Sequence, residues 1–99
     1  MIVKIHKTEE GKMLLAVCDS ELIDKKFEEG KGQLDLTSDF YKGDEKTEIE
    51  VSDLMRNSYI INIVGEKSVG LALKEELISE ENVKKIDGVP YASAVFQEN

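Results

Sequence analysis

The stretch that most limits the fold is YIINIV, Tyr59 to Val64. It is β-branched and apolar on both faces, apart from Asn62. A strand of that kind needs cover on both sides, so it belongs at the centre of a sheet. It runs into GEKSVG and then into LALKEEL, where Val69, Ala72, Leu73 and Leu77 recur on a helical period that Glu76 breaks near its end. A central strand, a glycine corner and a helix follow one another, and the other elements must be arranged around them.

IVKIHK alternates, with Val3 and Ile5 on one side and Lys4 and His6 on the other. MLLAVC follows after a turn, and the pair reads as an antiparallel hairpin. DSELIDKKFEEG reads as a helix, with Asp19 or Ser20 as cap, Leu22, Ile23 and Phe27 inward, and Gly30 at its end. QLDL is a short strand with Leu34 and Leu36 inward, and TSDFYKGDEK is a polar loop. Thr47 and Glu50 form a capping-box pattern that opens the helix EIEVSDLMRNS. SEENVKKI reads as a loop and a short strand ending at Ile86, and Asp87-Gly88 makes a turn. VPYASAVF is a last extended segment, which Pro90 should keep off the middle of a sheet. This order predicts an α/β fold bordering on α+β, in one compact domain over 1–99. Its mixed sheet of about five strands opens with an antiparallel hairpin, and helices pack on its faces.

A chain of 99 residues can bury one core without disulfides or a metal. It contains no apolar run long enough to cross a membrane as a helix, and its charged start is unlike a signal peptide. A cytosolic protein without membrane contacts is expected. Cys18 is the lone cysteine and His6 the lone histidine. They exclude an intramolecular disulfide and the usual transition-metal ligand clusters, so neither a metal nor a cofactor is expected. Thirteen basic residues against twenty-one acidic give a net charge of −8. That balance speaks against non-specific nucleic-acid binding and leaves room for a local basic patch.

Several residues are candidates for a site. Gly65 and Gly70 have the separation of a P-loop, but Leu71 and Ala72 stand where its Lys and hydroxyl belong. A milder anion site at Gly65, Lys67 and Ser68 remains, because helix N-termini after a strand attract anions. Glu66 opposes it, and a glycine corner with a favourably charged helix start is the simpler reading. Cys18 would need a base to act as a nucleophile, and His6 on the neighbouring strand is the sole histidine; no catalytic residue is assigned. Phe40 and Tyr41 sit together in a polar loop: one should anchor it, and the other is a candidate for partner binding. Pro90 and Tyr91 are further partner-binding candidates as a cleft wall. Lys4, His6 and Lys12 are the candidates for RNA binding.

LDLTSDFYKG, INIVGEKSVGLA and GVPYAS together resemble the archaeal family known as domain of unknown function 424. The resemblance covers nearly the whole chain, from the opening hairpin onward. It implies a small stand-alone archaeal cytosolic protein with a loose association to translation, and it brings no activity. The residue after Val-Pro is often His in that family; Tyr91 stands here instead, which speaks against an acid–base role at this position. The favoured reading is a binding module, not an enzyme, acting on a protein or ribonucleoprotein. The alternatives are a small-molecule or phosphate-binding domain at Gly65–Ser68 and an RNA-binding module.

Overall fold

The opening hairpin forms as its alternation predicts, from β1 (Ile2–Lys7) and β2 (Met13–Cys18). The computed structural model describes residues 1–96. After β2 come a 3-10 turn at Ser20–Leu22, β3 (Lys26–Glu29) and β4 (Gly32–Asp35). A second 3-10 turn at Asp39–Tyr41 leads to β5 (Asp44–Glu45) and α1 (Glu48–Arg56). Then follow β6 (Ile60–Val64), α2 (Glu66–Lys74), a 3-10 turn at Glu80–Asn82, β7 (Lys84–Ile86) and β8 (Val89–Val95).

The fold is mixed α+β. One sheet has six strands in the order β5-β1-β2-β6-β8-β7, and β3 with β4 makes a separate two-stranded sheet. Among the described residues only β2 and β6 run parallel; the other pairs are antiparallel. As its apolar run requires, β6 is interior and lies between β2 and β8.

The two sheet faces are covered differently. Val3, Leu15, Val17, Ile61, Ile63 and Ala92 project to one face and meet Val51 and Met55 of α1 and Val69, Leu71 and Ala72 of α2. The opposite parity carries Cys18 and Val64, which pack with Leu36, Leu22, Ile23, Phe27 and Leu34. Both helices therefore serve the first face, and the β3–β4 hairpin covers one end of the second.

The helix expected over Asp19–Gly30 is absent. Asp24 has φ of 68°, and Phe27 pairs across to Leu34 in the β3–β4 ladder. Gly30, at φ of 58°, opens the two-residue hairpin loop instead of ending a helix. Three apolar residues were too few to separate a helical stripe from the inner face of a strand, and burial against Cys18, Leu36 and Val64 decides for the strand. A further correction concerns Pro90. It sits in β8, which is interior, between β6 and β7. The Pro90 carbonyl accepts from the Gly65 N–H at 2.8 Å, so the backbone of residue 90 points towards the end of β6. There the Gly65 carbonyl already accepts from Val69 in α2. The missing proline N–H thus falls where the neighbouring strand has turned into a helix, and no ladder bond is lost.

Local signals were reliable where they were complete. Thr47 caps α1: its hydroxyl accepts from the Glu50 N–H at 3.2 Å, and the Glu50 carboxylate accepts from the Thr47 N–H at 3.0 Å. The Thr47 N–H and hydroxyl hold the Glu50 carboxyl below its ordinary 4.5. This contribution is therefore present above the ordinary value and is lost as pH falls through the lowered one. Thr47→Ala is expected to cost about 1 kcal/mol by urea denaturation at neutral pH, and less in acid. Asp87 and Gly88, at φ of 51° and 78°, form the turn between β7 and β8 with the positive φ values that an Asp-Gly hairpin supplies.

Candidate functional site

The parallel pair places a crevice beside the glycine corner at Gly65. Beyond Cys18 the chain crosses to the second face, while beyond Val64 it enters α2 on the first. Divergence of that kind at the carboxyl ends of parallel strands is where α/β proteins hold ligands. A cavity of about 260 Å³ opens there, walled by Glu21, Leu22, Glu66, Lys67, Val89 and Pro90, with Asp19 and Gly65 also lining it.

Asp19 already occupies the position an anion would take. Its Oδ2 accepts from the Lys67 N–H at 3.0 Å, and its Oδ1 accepts from the Ser68 N–H at 2.8 Å and the Ser68 hydroxyl at 2.7 Å. Asp19 is 3% exposed and Ser68 is fully buried. The side chain thus supplies an N-cap to α2, satisfying two of the amides a helix start leaves without partners. Gly65 makes the approach possible: a Cβ there would lie 2.2 Å from the Asp19 Cγ. The sequence offers Asp19 or Ser20 as the cap of a helix that follows directly, and Asp19 does not cap one there. It is instead the cap of a helix 48 residues onward, a pairing for which the sequence carries no local signal.

The anion candidates therefore divide. Gly65 lines the crevice and Ser68 is buried behind it, and both are bonded within the protein. Lys67 is exposed, its ammonium 3.9 Å from the Glu21 carboxylate. Gly70, the other half of the P-loop spacing, is an exposed residue inside α2, and a Cβ there meets nothing within 4 Å. Gly70→Ala is expected to stabilise the protein by about 1 kcal/mol, read from its urea midpoint.

Cys18 is fully buried. Burial first, and then the Asp19 and Glu21 carboxylates, push its thiol up to about 12. His6 pairs with Leu14 and Ile2 with Cys18, so the imidazole is four residues along the ladder, roughly 14 Å away. Such a thiol is held protonated and inert. A thiol-specific aromatic disulfide at about pH 8 should label the native protein no faster than it unfolds, and label it at once in urea.

The aromatic candidates separate as well. Tyr41 packs with Cys18, Leu36 and Val64, and burial, followed by the Cys18 charge, raises its phenol to about 12. Phe40 lies on the sheet, stacked on His6 with ring centroids 4.5 Å apart. The His6 Nε2–H donates to the Phe40 carbonyl at 2.9 Å. Tyr91 shares the Tyr41 cluster, while Pro90 is buried at the crevice. Lys4 and His6 share the second face. Lys12 instead lies over the Tyr59 ring at 4.0 Å, and Tyr59 has the parity of Ile61 on the helix-covered face. The three RNA candidates do not form one patch. Among the described residues no cluster of His, Cys, Asp and Glu is arranged to hold a metal, and no helix is long and apolar enough to cross a membrane.

The geometry defines a small α+β protein whose strand-end crevice is closed by its own carboxylate. The chain belongs to the family described as "Protein of unknown function (DUF424)", matched over residues 6–96. Among curated proteins none matches it. Its fold is similar to the crystal structure of an uncharacterized conserved protein from Methanopyrus kandleri, at 20% identity and a TM-score of 0.78 over 99% of this chain and 94% of that one. At that identity the likeness shows the fold alone.

Proposed function

We propose that this protein is a non-enzymatic binding module that docks a protein partner on the open half of its second sheet face. The observation that carries this reading is the uneven cover of that face. The β3–β4 hairpin and Tyr41 close one end. At the other end, Leu14, Ile60, Asn62, Ser93 and Val95 share the face by register. Leu14 and Ile60 join neither hydrophobic cluster, and Val95 is 60% exposed. Across β1, β2, β6 and β8 there is no Asp or Glu, although the chain carries −8 overall. Apolar surface free of carboxylates and rimmed by His6 and Phe40 has the composition of an interface core.

The crevice gives weaker support to a phosphate or small-molecule reading, since the amides such a ligand needs serve Asp19. RNA has Lys4 and the Phe40–His6 stack in its favour and the net charge against it. A photo-crosslinker at position 95 captures the partner, which is then purified and titrated. Val95→Glu should weaken its binding at least tenfold with Tm unchanged, a factor within reach of one interface residue. Binding that ignores Val95→Glu, or affinity that falls steeply with salt and needs RNA, would defeat the proposal.

A further inference from the structure

We infer that the free edge of β1 is a docking site for an extended acidic strand of another protein. This inference goes beyond the open-face reading and does not depend on it. The Met1 carbonyl accepts from the Lys46 N–H at 2.9 Å, which fixes the odd residues of β1 as those whose backbone faces away from β2. On that edge β5 pairs only with Ile2 and Val3. Gly43 then passes so close to β1 that a Cβ on it would lie 1.9 Å from the Val3 carbonyl oxygen, and the chain leaves the edge. The outward N–H and C=O groups of Ile5 and Lys7 have no strand beside them among the described residues. An open edge of this kind is a template for one more strand.

The surroundings specify what that strand would be. A cleft of about 520 Å³ runs along the edge, and Lys4, Lys42 and Lys46 line it with Asp44 as its lone carboxylate. Lys42 is paired with Asp24 at 3.2 Å; Lys4, Lys7 and Lys46 have no ion pair among the described residues. Ile5 is 49% exposed, an apolar side chain between Lys4 and His6. Side chains alternate along an added strand, and directly opposite residues interact. A residue facing Ile5 is therefore apolar, and the neighbour facing Lys4 is acidic. The lysines also repel a second copy of the same edge, so the matched occupant is an acidic–apolar segment of a different chain.

The test is a titration of the ¹⁵N-labelled 99-residue protein with a short acetylated peptide of alternating Glu and Val. Saturable shifts at the Ile5 and Lys7 amides are expected, with slowed hydrogen exchange at both. Ile5→Pro removes an outward donor and none of the β1–β2 bonds, a position where an edge strand tolerates proline. It should lower the affinity at least tenfold while the remaining amide spectrum is kept. Should that variant unfold, Lys4→Glu and a peptide N-methylated at its centre give the same reading without a backbone change in β1. No saturable shift at Ile5 and Lys7 would overturn the inference. So would equal binding of the N-methylated peptide, or of a Lys–Val peptide in place of Glu–Val.

Discussion

Asp19→Ala is expected to lower the stability of the protein by about 3 kcal/mol, roughly 15 °C in Tm. The carboxylate accepts from two amides and one hydroxyl at the start of α2, in a place where Asp19 is 3% exposed. Its removal leaves the Ser68 N–H and hydroxyl buried with no acceptor, and water reaches them poorly. An exposed cap would cost about 1 kcal/mol; burial accounts for the larger figure. The loss should appear as a lower urea midpoint with an unchanged m-value. The same variant tests what the crevice is shaped for. With the internal carboxylate gone, the freed amides and the helix dipole form an anion site. Acetate should raise the Tm of Asp19→Ala and leave that of the wild-type protein unmoved. Glu21 and Glu66 at the crevice wall oppose the anion and keep the rescue to a few degrees. Acetate stabilising both proteins equally would show that Asp19 does not fill the site.

How much of this was legible beforehand depended on how local each signal was. The apolar run Tyr59–Val64, the Thr47–Glu50 box and the Asp87-Gly88 turn each lie within a few residues, and each produced the element it announced. The segment 19–30 failed because Leu22, Ile23 and Phe27 fit two periods. Only the Phe27–Leu34 pairing and the cover they give to Cys18 and Val64 choose between them. Pro90 misled because a proline is excluded from an interior strand only where its neighbour still needs a donor. The role of Asp19 was hidden most completely. Its partners lie 48 and 49 residues away, so the sequence shows a plausible cap and gives no means of telling which helix it caps. Of the proposed surfaces, the sequence showed that Lys4 and His6 share a side. It could not show that β5 would stop at Val3, and that stop is what leaves an edge.

Gly65→Ala should be strongly destabilising, at about 4 kcal/mol. Two causes act together, and they can be separated. Gly65 has φ of 109° and ψ of 155°, a region open essentially to glycine alone, which an L residue occupies at a cost of about 1–3 kcal/mol. The added Cβ also meets the Asp19 carboxyl, at 2.2 Å from Cγ and 2.5 Å from Oδ2. Asp19 is held by three hydrogen bonds and cannot retreat without breaking them. In the double variant Asp19→Ala, Gly65→Ala, the second cause is absent, because Cγ and both oxygens are gone. The two losses should therefore sum to more than the loss measured for the double variant. The shortfall should be at least 1 kcal/mol, the size of coupling expected between residues in contact. What remains of the Gly65→Ala cost in the Asp19→Ala background is the backbone strain alone. Strict additivity would mean that the glycine serves only the turn. A clear shortfall would mean that the corner VGEKSVG is built around the carboxylate, with glycine chosen so that the acid just past β2 can close the start of α2.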